Sequence, residues 1–172
     1  MTTKPKSGPP QEVVRAHLRY NPETGEFWWS VAVRSKKIKA GDRAARTVNA
    51  NGYLTIGLLG RLYLAHRLAW VYIYGYWPNG DLDHINGNRA DNRIANLREA
   101  TRSQNNANGK LRCDSTSGVK GVSWDVRRWK AYIDIGRKRH RLGSFKTLED
   151  AIKARRAAEV RIFGKFRYGA PP

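Results

Sequence analysis

Residues 81–108, DLDHINGNRADNRIANLREATRSQNNAN, decide what this chain can be. Asp83 is a hard anionic oxygen donor of the kind Mg²⁺ takes, and His84 beside it can accept a proton near neutral pH. Asn96 and Asn105 offer neutral amides, twelve residues after His84 and nine further on. Phosphodiester hydrolysis needs an activated water, a neutralised phosphate and a stabilised leaving oxygen. A base, a metal carboxylate and a neutral second ligand supply those parts. The local signals predict a hairpin: residues 83–85 as a short strand, Asn86-Gly87 as a strong turn dipeptide, and residues 96–100 as the returning strand. Thr101 and Gln104 have capping-box spacing, so a short helix is expected to start there, with Asn105 on its first turn. Adjacent strand residues point to opposite faces, so Asp83 and His84 share a centre only if the strand ends or twists at that point.

The Asp-His pair, DNR, NLR and the QNN run together resemble the HNH endonuclease family in its His-Asn-Asn form, the homing-endonuclease type of bacteriophages, over residues 65–108. The resemblance implies a ββα-metal module in which Asp83 binds the catalytic metal and His84 is the general base. It makes Asn96 the brace of the hairpin loop and Asn105 the second metal ligand. The metal is Mg²⁺, with Mn²⁺ as the alternative. The family often has His at the last position, so Asn105 implies a more weakly held ion. HRLAW at residues 66–70 falls within the resemblance and places His66 near the site. The bland alternative for His66 is a buried histidine satisfied by a backbone group.

Outward from this stretch the chain is strongly basic. Its 172 residues carry 33 Lys+Arg against 14 Asp+Glu, a formal charge of +19 and a pI near 10.6. Residues 110–172 hold 17 cations and six acids, net +11, and residues 1–109 hold 16 and eight, net +8, so the charge is denser in the shorter C-terminal part. Such a surface attracts nucleic acid and makes binding steeply salt-dependent; an acidic membrane or protein is the less favoured partner. A single cysteine, Cys113, excludes an intramolecular disulfide and a cysteine-clustered zinc site and points to a reducing compartment. His17, His66, His84 and His140 are too scattered for a local metal motif. No apolar run reaches the roughly eighteen residues needed to span a bilayer, and no hydrophobic segment follows Lys4 and Lys6, so no signal peptide is expected. The expected location is the cytoplasm of a bacterial or phage-infected cell.

Residues 1–10 are polar and proline-rich and read as a disordered tail. Residues 11–20 suit a short helix, residues 21–25 a turn and residues 27–29 a strand. Residues 34–39 read as a basic loop, equally suited to phosphate contact and to plain solvation. Asn51-Gly52 and Leu59-Gly60 punctuate candidate strands at 53–58 and 61–65. Residues 66–74 form an apolar helix beneath the nuclease hairpin, ended by Gly75 and by Pro78-Asn79-Gly80. This frames residues 11–109 as the nuclease module, with a polar linker at 110–117.

Beyond the linker, residues 118–168 change to short strands and one helix. Residues 119–125, 130–135 and 139–144 alternate as strands around turns at Arg127-Arg128 and Gly136-Arg137. A helix is expected from Thr147, capped through Asp150, to a stop before Gly164. Its stripe of Ala151, Ala154, Ala158 and Ile162 lies on the sheet, and Lys153, Arg155, Arg156 and Arg161 are assigned to the solvated side. The class is α+β, with a three-stranded antiparallel sheet packed on one helix. Its DNA-binding candidates are Lys120, Ser123, Trp124, Arg127, Arg128, Lys130, Tyr132, Arg139 and Arg141, cations and rings suited to phosphate, base edges and thymine methyls. Trp129 and Phe145 are assigned to the core. SGVKGVSW, WKAYI, RLGSF and EDAIKARRAAE resemble the plant ethylene-response-factor DNA-binding domain over residues 117–166. That resemblance implies DNA contacts from Lys120, Ser123, Trp124, Tyr132 and Arg139. Ser123, Asp125 and Asp134 stand where that family favours basic residues, so its preferred DNA sequence does not transfer.

Together these features point to a metal-dependent DNA endonuclease of phage or mobile-element homing type. Its partner is duplex DNA, bound by a monomer or a dimer, and one centre per chain makes nicking the default. A non-catalytic DNA-binding regulator is the alternative. An RNA partner is disfavoured because the deep, narrow major groove of RNA does not admit a sheet.

Overall fold

In the computed structural model the described residues are 8–33, 38–109, 111, 115–136 and 138–167. The basic residues Arg34, Lys36 and Lys37, residues 1–7 of the expected tail, Cys113 and part of the linker lie outside them. The chain divides into two compact units, Met1–Glu99 and Ala100–Pro172. The class is α+β, built from several small antiparallel sheets.

The first unit opens with helix α1, Gln11–His17, which buries Val14 and runs directly into strand β1, Leu18–Tyr20. Strand β2, Phe27–Trp29, pairs with it so that Leu18 faces Trp29 and Tyr20 faces Phe27. Those alternate positions are buried in both strands, the period-two pattern of a half-buried hairpin. Between the strands, the Asn21 side chain accepts from Glu23 N at 2.8 Å and the Asn21 carbonyl accepts from Gly25 N at 2.9 Å. Next come β3, Thr47–Val48, β4, Leu54–Leu58, and β5, Arg61–Leu64, paired in chain order. Helix α2, Ala65–Tyr74, buries Leu68, Ala69, Trp70 and Val71 against Phe27, Ile56 and Leu58 in one core. Gly75, at φ 81, closes α2 and donates to Val71 O at 2.9 Å. Gln11 and Arg15 of α1 donate to the Tyr72 carbonyl at 2.9 and 2.7 Å, satisfying an end-of-helix acceptor. Gly8–Pro10 had been assigned to the disordered tail, but the Pro9 carbonyl accepts the Trp77 indole N–H at 3.0 Å and Pro10 is the N-cap of α1.

The first unit ends in strand β6, Asp81–His84, a 3₁₀ turn at Ile94–Asn96, and strand β7, Leu97–Ala100, which pairs with β6. In the second unit helix α3, Arg102–Asn108, carries the expected capping box, with Thr101 Oγ1 accepting from Gln104 N and Gln104 Oε1 accepting from Thr101 N. Strands β8, Val122–Asp125, β9, Arg128–Ile135, and β10, Lys138–Phe145, form an antiparallel sheet in the order β10-β9-β8. Helix α4, Leu148–Phe163, starts at Thr147, whose hydroxyl accepts from Asp150 N at 3.2 Å. Val122, Ala131 and Ala151 form one small core, and Ala107, Ile133, Ala158 and Phe163 another.

Two expectations change here. The β8–β9 turn is Val126-Arg127, not Arg127-Arg128, because Arg128 pairs with Asp125 in register. Arg155 is not solvated but only 5% exposed. It stands four residues after Ala151, on the buried face of α4, with Glu159 3.0 Å away. Gly121 opens the space beside it, since a Cβ there would sit 2.7 Å from Arg155 Nε and 2.3 Å from Tyr132 O.

In the first unit Gly25, at φ 75, is pressed against the 91–94 loop, where a Cβ would lie 2.5 Å from Arg93 N and 2.6 Å from Asn92 C. Gly25→Ala combines a left-handed backbone with that clash, so a loss of about 2–5 kcal/mol is expected in urea unfolding. A change within experimental error would show that this loop shifts freely.

Candidate active site

The hairpin between β6 and β7 is tied by its own asparagines. Asn96 accepts from Ile85 N through its carbonyl at 2.9 Å and from Asn86 N through Oδ1 at 3.0 Å, and donates from Nδ2 to Asp91 O at 2.9 Å. Asn86 Nδ2 donates to Asp91 Oδ2 at 2.7 Å, and Asn86 Oδ1 accepts from Asn88 N. Arg93 forks onto the Asp91 carboxylate at 2.8 and 2.6 Å, holding that carboxyl below its ordinary pKa. Asn96 thus spans the loop and binds both of its sides.

Asp83 and His84 are 3% and 4% exposed and stand at the end of β6, but they meet different partners. Asp83 Oδ2 receives Arg98 Nε and Nη2, both at 2.8 Å, in a pair almost closed to solvent. The His84 ring faces Asn92, with Nε2 3.3 Å from Asn92 Oδ1, and lies 4.9 Å edge-on from the His66 ring and 5.8 Å from that of Tyr53. Burial lowers the His84 pKa, only partly offset by the Asn92 hydrogen bond and by Asp83 and Asp91, so the ring is neutral at pH 7. A neutral buried imidazole is a competent proton acceptor.

The rest of the first unit positions these groups. Asn92 is 1% exposed, its carbonyl accepts the Tyr20 hydroxyl at 2.7 Å, and Ile94 N donates to Pro22 O at 3.1 Å. The β1–β2 hairpin therefore holds the loop that presents Asn92. Arg89 donates to Asn51 O at 2.8 Å and lies 5.0 Å over the Tyr53 ring, tying the loop to the β3–β4 turn. Arg67 of α2 donates to the carbonyls of Pro78 and Gly80 at 2.9 and 3.2 Å, fixing the chain as it enters β6. His66 packs on Tyr53 at 5.0 Å and is 4% exposed, with Nδ1 lacking a hydrogen-bond partner. Burial first, then His84 and Arg67, pull its pKa down to about 3.

Asn92 and Arg98 had no role in the sequence reading, although DNR and NLR contain them. The signal for Arg98 is its place on the returning strand opposite Asp83. Asn92 carries no such signal, because only the closed loop turns it toward His84. Asn105 lies on α3 in the second unit.

Among the described residues no three His, Cys, Asp or Glu side chains gather to hold a metal. The hard carboxylate of Asp83 suits Mg²⁺, which keeps several waters and takes only one or two protein carboxylates. Its Arg98 pair must then be shared with the ion or yield to it.

The sheet of the second unit divides its predicted readers by face. Ser123, Arg128, Lys130, Tyr132, Arg139 and Arg141 alternate with Val122, Ala131 and Ile133, which are buried toward α4. On that open face Arg139 pairs with Asp134 at 3.0 Å and lies 4.0 Å over the Tyr132 ring. Arg141 donates to Ser144 Oγ at 2.6 Å, and Lys130 pairs with Asp125. Trp124 shares the parity of Val122 and packs edge-on against Trp129 at 5.2 Å, yet is 50% exposed. Arg127 occupies the turn. Lys120 points elsewhere, donating to the carbonyls of Asn106, Ala107 and Gly109 at the end of α3. Trp129 and Phe145 are partly buried against Val122, Ala131 and Ala151.

Residues 63–107, which hold α2 and the hairpin, match the family profile described as HNH endonuclease. The chain thus carries an HNH endonuclease domain, a domain whose substrate is DNA. Protein 3.8 of Escherichia phage T7 is a relative, 36% identical over 87 residues that make up 49% of this chain and 72% of that protein. No solved structure matches. Among the described residues no helix is long and apolar enough to cross a membrane.

The depressed His66 makes stability fall on acidification. An unfolded histidine takes up a proton near pH 6.5, whereas folded His66 waits until about 3, so the unfolded state binds the extra proton between those values. Stability should be lost across that window at up to about 1.4 kcal/mol per pH unit. Urea unfolding of wild type and His66→Phe at pH 4, 5 and 6 checks this, with a shallower slope expected in the variant.

Proposed function

We propose that the protein is a divalent-metal-dependent endonuclease that hydrolyses phosphodiester bonds in duplex DNA. The observation that carries this is His84, buried, neutral and held by Asn92 beside Asp83, inside the segment that matches the HNH family. Asn92 Oδ1 lies 3.3 Å from Nε2 and helps to fix the direction of the ring. The His84 imidazole takes a proton from the water that attacks the phosphorus. A bound divalent ion, Mg²⁺ or Mn²⁺, supplies charge neutralisation at the phosphate and stabilises the leaving 3′ oxygen. Asp83 holds that ion, and Arg98 orients the Asp83 carboxylate. The family resemblance assigns the second ligand position to Asn105, and that assignment rests on sequence alone. Asn96 is a positioning residue that keeps the ββα hairpin closed. Products carry 5′-phosphate and 3′-hydroxyl ends.

Residues 11–109 form the nuclease module in this reading, and residues 118–168 a sheet-plus-helix DNA reader of the kind seen in ethylene-response-factor proteins. One centre per chain favours nicking, the T7 relative favours a phage role, and the homing type rests on the resemblance of the motif. The closure of Asp83 by Arg98 favours one other reading, a DNA-binding regulator without catalysis.

Incubating the protein with supercoiled phage and plasmid DNA, with Mg²⁺ or EDTA, separates the two. Metal-dependent relaxed or linear product is expected, lost by at least about a hundredfold in His84→Ala, as for removal of a general base, with duplex affinity unchanged. Equal cleavage by the variant would remove His84 from the chemistry. Tight binding without cleavage on a DNA containing the bound site would establish the regulator.

A further inference from the structure

The turn between β8 and β9 is built from a residue that suits it poorly. Pairing of Trp124 with Trp129 and of Asp125 with Arg128 leaves only Val126 and Arg127 to reverse the chain. Two-residue hairpin turns take positive φ at their first position, which favours Gly, Asn or Asp. Val126 stands there at φ 51. A β-branched side chain in the left-handed region is a genuine outlier, because its branches crowd the neighbouring backbone. Burial does not compensate, since Val126 is 82% exposed, more than Leu62 at 71% or Leu59 at 61%. Neither local propensity nor packing accounts for it, and such conflicts concentrate at functional sites.

The surroundings specify what meets this side chain. Arg127 follows Val126 in the turn and Arg128 opens β9, both exposed, while Asp125 precedes Val126 and Trp124 is half exposed one residue earlier. Two cations following an aliphatic tip, with the preceding Asp125 carboxylate paired to Lys130, suit a polyanion that carries an apolar group within reach of a narrow β-ribbon. In the major groove of DNA that group is the C5-methyl of thymine, the one apolar feature among the base edges. Resting on the reading of this sheet as a DNA reader, we propose that Val126 is a specificity-determining residue. Its isopropyl group packs on a thymine C5-methyl while Arg127 and Arg128 hold the flanking phosphates.

The full-length protein is used in EDTA, so that DNA is bound but not cut. Duplexes selected by wild type from a random library are resynthesised with deoxythymidine or with deoxyuridine, which lacks only the methyl. Wild type should bind the thymine duplexes about three- to fivefold more tightly, the worth of one buried methyl group. Val126→Asn, which tolerates the left-handed turn, should melt at the same or a higher temperature and bind both duplexes equally, at the wild-type affinity for the uridine form. The proposal is overturned if folded Val126→Asn keeps the thymine preference, if it weakens both duplexes alike, or if wild type binds tightly without any preference; the DNA-reader assignment survives all three. Failure of folded wild type to select any duplex would remove the DNA reader and this proposal together.

Discussion

Everything in the first unit is subordinate to keeping one imidazole dry and correctly held. Out of water His84 loses its charge because desolvation penalises the protonated ring. A ring in an apolar cavity alone would have no fixed tautomer or direction. Asn92 supplies a polar contact that orients the ring, and it is itself buried with its carbonyl bound by Tyr20. The β1–β2 hairpin thus forms a wall behind His84.

The same economy bears on how the polar and half-exposed loop of residues 85–96 can bury Asn92 and Asn96. A buried amide without a partner costs about 1–3 kcal/mol, so such a loop is tolerable only if its groups satisfy one another. Asn86, Asn96 and Asp91 satisfy one another, with Arg93 neutralising the carboxylate, whereas the buried Asn92 Nδ2 has no hydrogen-bond partner among the described residues. Asp83 and Arg98 follow a related rule. A carboxylate nearly sealed from solvent needs a counter-charge, and the fork of Arg98 provides it. A divalent cation held there, as the proposed function requires, would meet the same need in place of Arg98 or beside it.

In the second unit the physical problem is cover for a small sheet. Ala151 and Ala158 bring α4 close to β9, and the absence of a side chain at Gly121 leaves room for Arg155 beneath it. The opposite face keeps its cations, each disciplined by a neighbour. Asp134 and Tyr132 restrain Arg139, Ser144 restrains Arg141 and Asp125 restrains Lys130.

Residue order alone determined much of this protein. The Asp-His pair before Asn-Gly, the Thr-Gln capping box, the apolar helix ended by Gly75 and the strand alternation after residue 118 are local signals, and local sterics and hydrogen bonds answer to them directly. Tertiary structure decided the rest. Asn92 meets His84 because loop closure brings together residues eight apart, and Tyr20 reaches Asn92 across 72 positions of chain. Arg98 faces Asp83 through strand pairing, Lys120 is drawn from the presumed DNA face to the carbonyls ending α3, and Arg155 turns inward where Gly121 leaves space. Those outcomes depend on which neighbour desolvates a polar group and which supplies its partner, and neither is written in the spacing of residues along the chain.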